Sequence, residues 1–181
     1  MTGVQTCALP ISQTALITGR AVFTEAYAVI PKETMRDIVT SVLPHWERTR
    51  AWIIARPLSG FSETFAQYIM EVEPQGGCKT SEPDPDAQGV LFVVEGRIDL
   101  TISGRTHVLS PGGYAYLPPS SQWTIANSGE APARFHWIRK VYERVPGIAD
   151  PDPIVANEAD IAPVSMPGTD GRWATTRFVD R

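Results

Sequence analysis

The stretch Gly89-Val90-Leu91-Phe92-Val93-Val94-Glu95-Gly96-Arg97-Ile98-Asp99-Leu100-Thr101-Ile102-Ser103-Gly104 decides the fold class. Gly89 to Val94 is an apolar run, and Glu95-Gly96 turns the chain. From Arg97 to Ile102 the residues alternate. Ile98, Leu100 and Ile102 fall on one face and Asp99 and Thr101 on the other, the two-residue period of a half-buried strand. Ser103-Gly104 then has hairpin chemistry, because glycine supplies the positive φ that such a turn needs.

The same grammar extends in both directions. Upstream, Phe65, Gln67, Ile69 and Glu71 alternate with Ala66, Tyr68, Met70 and Val72. Pro74 to Gly77 reads as a turn, and Thr80 to Ala87 as a polar, proline-rich loop. Downstream, Arg105 to Leu109 returns, Pro111-Gly112-Gly113 turns again, and strands follow at Tyr114 to Leu117, Trp123 to Ala126 and Ala133 to Tyr142. Close-spaced short strands punctuated by Gly and Pro indicate an all-β antiparallel sandwich or barrel. Before Gly60 the signal is mixed: Ala26 to Pro31 and Ala51 to Ala55 read as strands, while Thr34 to Pro44 fits one helical turn or a strand equally. Pro146 to Pro167 shifts to Pro, Asp, Ala and Glu without periodicity, as a linker does. Arg172 to Val179 alternates like the first strand of another domain, a reading that its Trp and Phe favour over a frayed tail.

Composition bounds the function. The chain has 181 residues, 43% hydrophobic and 20% charged, in the range of a soluble globular protein. A net charge of −4 argues against a broad basic surface for nucleic acid. No apolar run approaches the roughly 18 residues needed to cross a bilayer. Two cysteines, Cys7 and Cys78, make a reducing, cytoplasmic setting the default. Thr2 to Ile11 resembles a translated sequencing-library adapter. The competing reading, a signal peptide, lacks the basic first region and a long enough apolar one. Residues 1–12 are therefore set aside as non-native, Cys7 with them.

The strand-turn pattern resembles the cupin family, a jelly-roll barrel with two motifs. In the first, G-x5-H-x-H-x3-E-x6-G, counting from Gly77 places the ligand positions on Pro83, Pro85 and Gly89 and the last glycine on Gly96. In the second, G-x5-P-x-G-x2-H-x3-N, counting from Gly112 gives Pro118, Ser120 for glycine, Trp123 for histidine and Asn127. Two histidines one residue apart on a strand point the same way, and a Glu and a third His complete a pocket suited to Mn, Fe or Zn. Proline, glycine and tryptophan donate no such ligand. The expectation is a frame without its metal site, with Trp123 filling the barrel mouth.

Other candidates have ordinary readings beside the functional ones. His45, His107 and His136 share no local ligand spacing; His136 is a pocket residue or a hydrogen-bonded core or interface histidine. Glu82, Asp84 and Asp86 flank the lost ligand positions and could bind a cation, or be simply solvated. Lys79 beside Cys78 could lower the thiol pKa, or the cysteine is structural. Arg139, Lys140 and Arg144 could steer an anionic substrate, or form a surface face.

Ala87 to Gly96, Pro111 to Pro119, Arg134 to Lys140 and Met166 to Asp180 are similar to the (S)-ureidoglycine aminohydrolase family. That resemblance implies a bicupin whose second barrel holds Mn through His, Glu and Gln-type ligands. The enzyme releases ammonia from (S)-ureidoglycine to give (S)-ureidoglycolate in allantoin and purine breakdown, with the metal in a Lewis-acid and templating role. It implies a double-stranded β-helix barrel, the first of two cupins, with an N-terminal extension. The expected division is an extension over 13–60, a metal-free barrel over 61–145, a linker over 146–165 and the start of a truncated second cupin over 166–181. On this reading the chain alone is inactive and carries no catalytic or metal-ligating residue, and the parent is a homo-oligomer acting on a small molecule. Two alternatives are a stand-alone metal-free cupin that binds or senses a metabolite, and a structural or oligomerisation barrel attached to some other catalytic domain.

Overall fold

A computed structural model describes residues 21–24, 27–31, 41–57 and 64–179. The adapter-like segment and Thr34 to Thr40 lie outside the described residues. Residues 1–39 and 40–181 are separate compact units. In the first, β1 (Val22–Phe23) pairs antiparallel with β2 (Ala28–Val29). Thr24 closes the turn: its Oγ1 accepts from the Tyr27 N–H at 2.9 Å and donates to the Tyr27 carbonyl at 3.0 Å.

The second unit is an antiparallel barrel. Its strands are β3 (Trp46–Ala55), β4 (Phe65–Cys78), β5 (Ala87–Glu95), β6 (Ile98–Ile102), β7 (Arg105–Leu109), β8 (Gly113–Leu117), β9 (Trp123–Ala126), β10 (Ala133–Val141) and β11 (Ile154–Asn157). They hydrogen-bond in the order β11-β8-β5-β10-β4-β9-β6-β7, with β3 on the free side of β4. Alternation decides what faces in. Leu91 and Val93 of β5, Ile98 and Leu100 of β6, Ala115 and Leu117 of β8 and Phe135 of β10 are all buried in one core. Ser103 and Gly104 both adopt positive φ (51° and 74°), the geometry of a tight hairpin turn between β6 and β7.

One strand serves both walls. The Gln67–Val72 part of β4 lies between β3 and β10, whereas Gly77 and Cys78 pair with Ala126 and Ile125 of β9. Pro74 to Gly77, expected as a turn, is therefore a corner in a continuous strand, and Gln75 takes φ 62° there. At Gly77 (φ 143°) a Cβ would sit 2.0 Å from the Ile125 carbonyl oxygen, so β9 approaches to a distance that only glycine permits. Asn127 locks the corner. Its Nδ2 donates to the Val72 carbonyl at 2.8 Å and the Ala131 carbonyl at 2.9 Å, and its backbone N–H donates to the Gly76 carbonyl at 2.9 Å. The first residue of one motif and the last of the other thus build a single joint.

On the outer face of the larger wall, Glu71 is 3% exposed between two arginines. Its Oε1 lies 2.5 Å from Arg50 Nη2 and its Oε2 2.6 Å from the Arg134 guanidinium, stitching β3, β4 and β10. That pairing raises the Arg134 pKa above its ordinary value.

The C-terminal region departs from expectation at two places. Within the stretch expected as a linker, Ile154–Asn157 extends the large wall by pairing with Gly113–Tyr116. Its pattern was hidden because four residues are too few to display a period. The alternating Arg172 to Val179 segment supplies only β13 (Ala174–Thr175), which pairs with β12 (Val164–Ser165). Phe178 then stacks on Tyr114 with ring centroids 4.5 Å apart.

Gly77→Ala is expected to lower stability by about 2–4 kcal/mol, combining left-handed strain with overlap onto β9. The urea midpoint relative to wild type measures it.

Candidate functional site

The four positions that would ligate a metal are dispersed by their own residue types. Pro83 and Pro85 have no N–H to give a ladder, and both are exposed in the loop between β4 and β5. Gly89 faces inward from β5, and Trp123, 5% exposed, faces inward from β9. The space a side chain at position 89 would enter is already taken. An ideal Cβ on Gly89 would lie 3.0 Å from Trp137 Nε1.

Trp137 belongs to an aromatic plug. Its ring centroid is 5.5 Å from Trp46, 6.2 Å from Trp123 and 5.6 Å from Tyr68, and Trp46 is 6.2 Å from Phe135. The Trp123–Trp137 pair is edge-to-face at 80°, the arrangement that places a positive ring edge on a negative ring face. Between Gly89, Leu117, Trp123 and Trp137 there remains a void of about 10 Å³, space for at most about one water. Pro83, Pro85, Gly89 and Trp123 do not fit a metal ion as a donor set. Among the described residues no three His, Cys, Asp or Glu side chains gather as a metal site.

Above the plug opens a cleft of about 220 Å³. The segment Leu43–Trp46 forms one side, Thr80–Pro83 another, and Trp123 and Trp137 the floor. Arg139 continues the inward face of β10 beyond Phe135 and Trp137, which brings it to this mouth. Its Nη2 lies 2.5 Å from Glu82 Oε1, and the Glu82 side chain is only 10% exposed. The guanidinium also sits 5.3 Å from the Trp137 ring centroid, a cation–π distance. Arg139 Nε is buried with no hydrogen-bond partner.

The other candidates resolve individually. Arg139, Lys140 and Arg144 are not a free basic cluster: they face Glu82, Glu143 and the pair Asp86 and Asp150 respectively. Glu82, Asp84 and Asp86 do not converge, since Glu82 turns to Arg139, Asp86 to Arg144, and Asp84 accepts from the Asp86 N–H at 3.0 Å. Lys79 reaches Glu47 Oε2 at 3.0 Å and so does not activate Cys78. Burial pushes the Cys78 thiol above its usual pKa, and the thiol donates to the Thr80 carbonyl. His45 lines the cleft and His107 lies on β7. His136 faces outward in register with Ile69 and Phe92, its Nδ1 buried without a hydrogen-bond partner.

Sequence reasoning missed the Trp46–Trp137 half of the plug and the Glu82–Arg139 pair. A signal for part of it was present: alternation along Ala133–Val141 puts Phe135, Trp137 and Arg139 on the inward face. Nothing local announces Trp46 as their partner.

Residues 68–139 match a family model described as Cupin domain. The barrel has the cupin fold. The chain is similar over most of its length to part of longer proteins. The crystal structure of a putative glyoxylate-induced protein from Pseudomonas aeruginosa is 58% identical, with a TM-score of 0.81, over 90% of this chain and 61% of that one. The (S)-ureidoglycine aminohydrolase of Escherichia coli strain K12 is 28% identical over 137 residues, 76% of this chain and 51% of the relative. The Arabidopsis thaliana enzyme of the same name is 31% identical over 102 residues, 56% of this chain and 32% of the relative. The chain thus spans about half or less of the length of these curated relatives. Among the described residues no helix is long and apolar enough to cross a membrane.

Restoring an acidic side chain with Gly89→Glu is expected to cost at least about 2 kcal/mol, because it overpacks against Trp137 and buries a carboxylate. In a Trp137→Ala background the added cost is expected to shrink, and a double-mutant cycle read by chemical denaturation measures the coupling.

Proposed function

We propose that this cupin is the non-catalytic first barrel of a Mn-dependent (S)-ureidoglycine aminohydrolase, a hydrolase that releases ammonia from (S)-ureidoglycine to give (S)-ureidoglycolate. Mn and the reacting groups belong to a second barrel outside this chain. The chain's own contribution is packing: it supports that barrel and the contacts of a homo-oligomer. The observation that carries this reading is the aromatic plug at the ligand positions of a domain similar to aminohydrolases over about half their length. A donor set of Pro83, Pro85, Gly89 and Trp123 supplies neither a metal ligand nor a proton-transfer group. The positions that fix the fold, Gly77, Gly96, Gly112, Pro118 and Asn127, remain in register.

A second reading, a metal-free binding module, draws on the cleft above the plug, since concave, mostly apolar sites with a few convergent polar groups are the usual form of a small-molecule site.

With Mn²⁺ and (S)-ureidoglycine supplied, the 181-residue chain is expected to release ammonia no faster than the uncatalysed reaction. The parent gene's full product, assayed the same way, is expected to be active. Turnover by the chain alone, or a parent without a His- and Glu-bearing second barrel, contradicts the proposal.

A further inference from the structure

We infer that the cleft at the barrel mouth is a binding site for a small, flat, uncharged molecule that presents an N–H beside a C=O, a cyclic amide. The inference goes beyond the aminohydrolase reading and does not depend on it. Size comes first. A volume of about 220 Å³ lies below the roughly 300–1,000 Å³ usual for sites of drug-sized ligands, which suits a single-ring molecule. Shape follows from the lining, where the indoles of Trp46, Trp123 and Trp137, none more than 7% exposed, suit a thin ring better than a bulky aliphatic group.

Charge narrows the class. Among the described residues, Arg139 and Glu82 line the cleft as an ion pair, with His45 the other ionisable ring in the lining. A ligand of either sign would meet one opposite charge that is already neutralised and one like charge, so a net charge gains little. Hydrogen-bonding capacity points to what remains. Ser81 Oγ is engaged with Gln122 Oε1, and the Cys78 thiol with the Thr80 carbonyl. Arg139 carries five N–H donors, and Glu82 Oε1 takes Arg139 Nη2 and, at 3.5 Å, the Asp84 N–H, which leaves bonding capacity on both side chains. The buried, unpartnered Nε marks the guanidinium as under-satisfied. A donor and an acceptor held side by side match the N–H and C=O of an amide locked cis in a ring. Pro83 and Pro85 stiffen the loop that carries Glu82, so less ordering is required on binding.

Uracil is a suitable probe, and 1,3-dimethyluracil keeps the ring while removing both N–H groups. Titration of the full chain, followed by tryptophan fluorescence and calorimetry, is expected to show one saturable uracil site. Dimethyluracil is expected to bind at least about tenfold more weakly, equivalent to about 1.4 kcal/mol, and acetate is expected not to compete. Glu82→Leu, checked for folding by its thermal midpoint, is expected to weaken uracil by a similar factor. No saturation by uracil, equal binding of the dimethyl compound, or displacement by acetate would overturn the assignment; the ligand-side comparison needs no variant to fold.

Discussion

The indole of Trp137 lies where a side chain on Gly89 would have to go, and the rest of the barrel is arranged around that contact. With position 89 reduced to glycine, Trp137 can enter the centre, Trp123 can meet it edge-on, and Trp46 can close the cluster from β3. A buried indole removes on the order of 150–250 Å² from water, worth at most about 4–6 kcal/mol at about 25 cal/mol/Å². Converging imidazoles and a carboxylate would instead bring a desolvation cost that a metal has to offset. The barrel centre has become core. Among the described residues, Arg139 and Glu82 sit at its mouth and neutralise each other, beside His45, Thr80 and Ser81.

The residues that hold the frame together are distinct from those that fill the barrel centre. Gly77 lets β4 and β9 approach closely, and Asn127 satisfies three backbone groups at the same corner. Gly96, with φ 72°, has Pro132 oxygen 2.6 Å from the place of a Cβ, so its turn is equally exclusive. These residues answer to backbone geometry, whereas Pro83, Pro85, Gly89 and Trp123 occupy positions that answer to a ligand. Loss of one set therefore leaves the other intact.

The strands were legible in the sequence where inward and outward residues alternate for five or more positions, as in β6 and β10. Ile154–Asn157 was not, because its four residues lie in a proline- and acid-rich setting. The corner at Pro74–Gly77 was read as a turn since its residues are turn residues; only the pairing of Gly77 with Ala126 shows that the strand continues. The residue types at the counted motif positions were legible, because motif spacing is a local property. The plug and the Arg139–Glu82 pair were not, since they join β3, β9, β10 and a loop that only the closed barrel brings together. Charge pairing is hidden for the same reason: nothing local in the sequence marks Asp86 as a partner of Arg144.

The most direct measurement is metal content. After equilibration with Mn²⁺ and removal of unbound ion, the folded chain should be assayed for Mn per polypeptide. The filled barrel predicts a value far below one. Stoichiometric Mn that survives this treatment would contradict it and would require ligands other than Pro83, Pro85, Gly89 and Trp123.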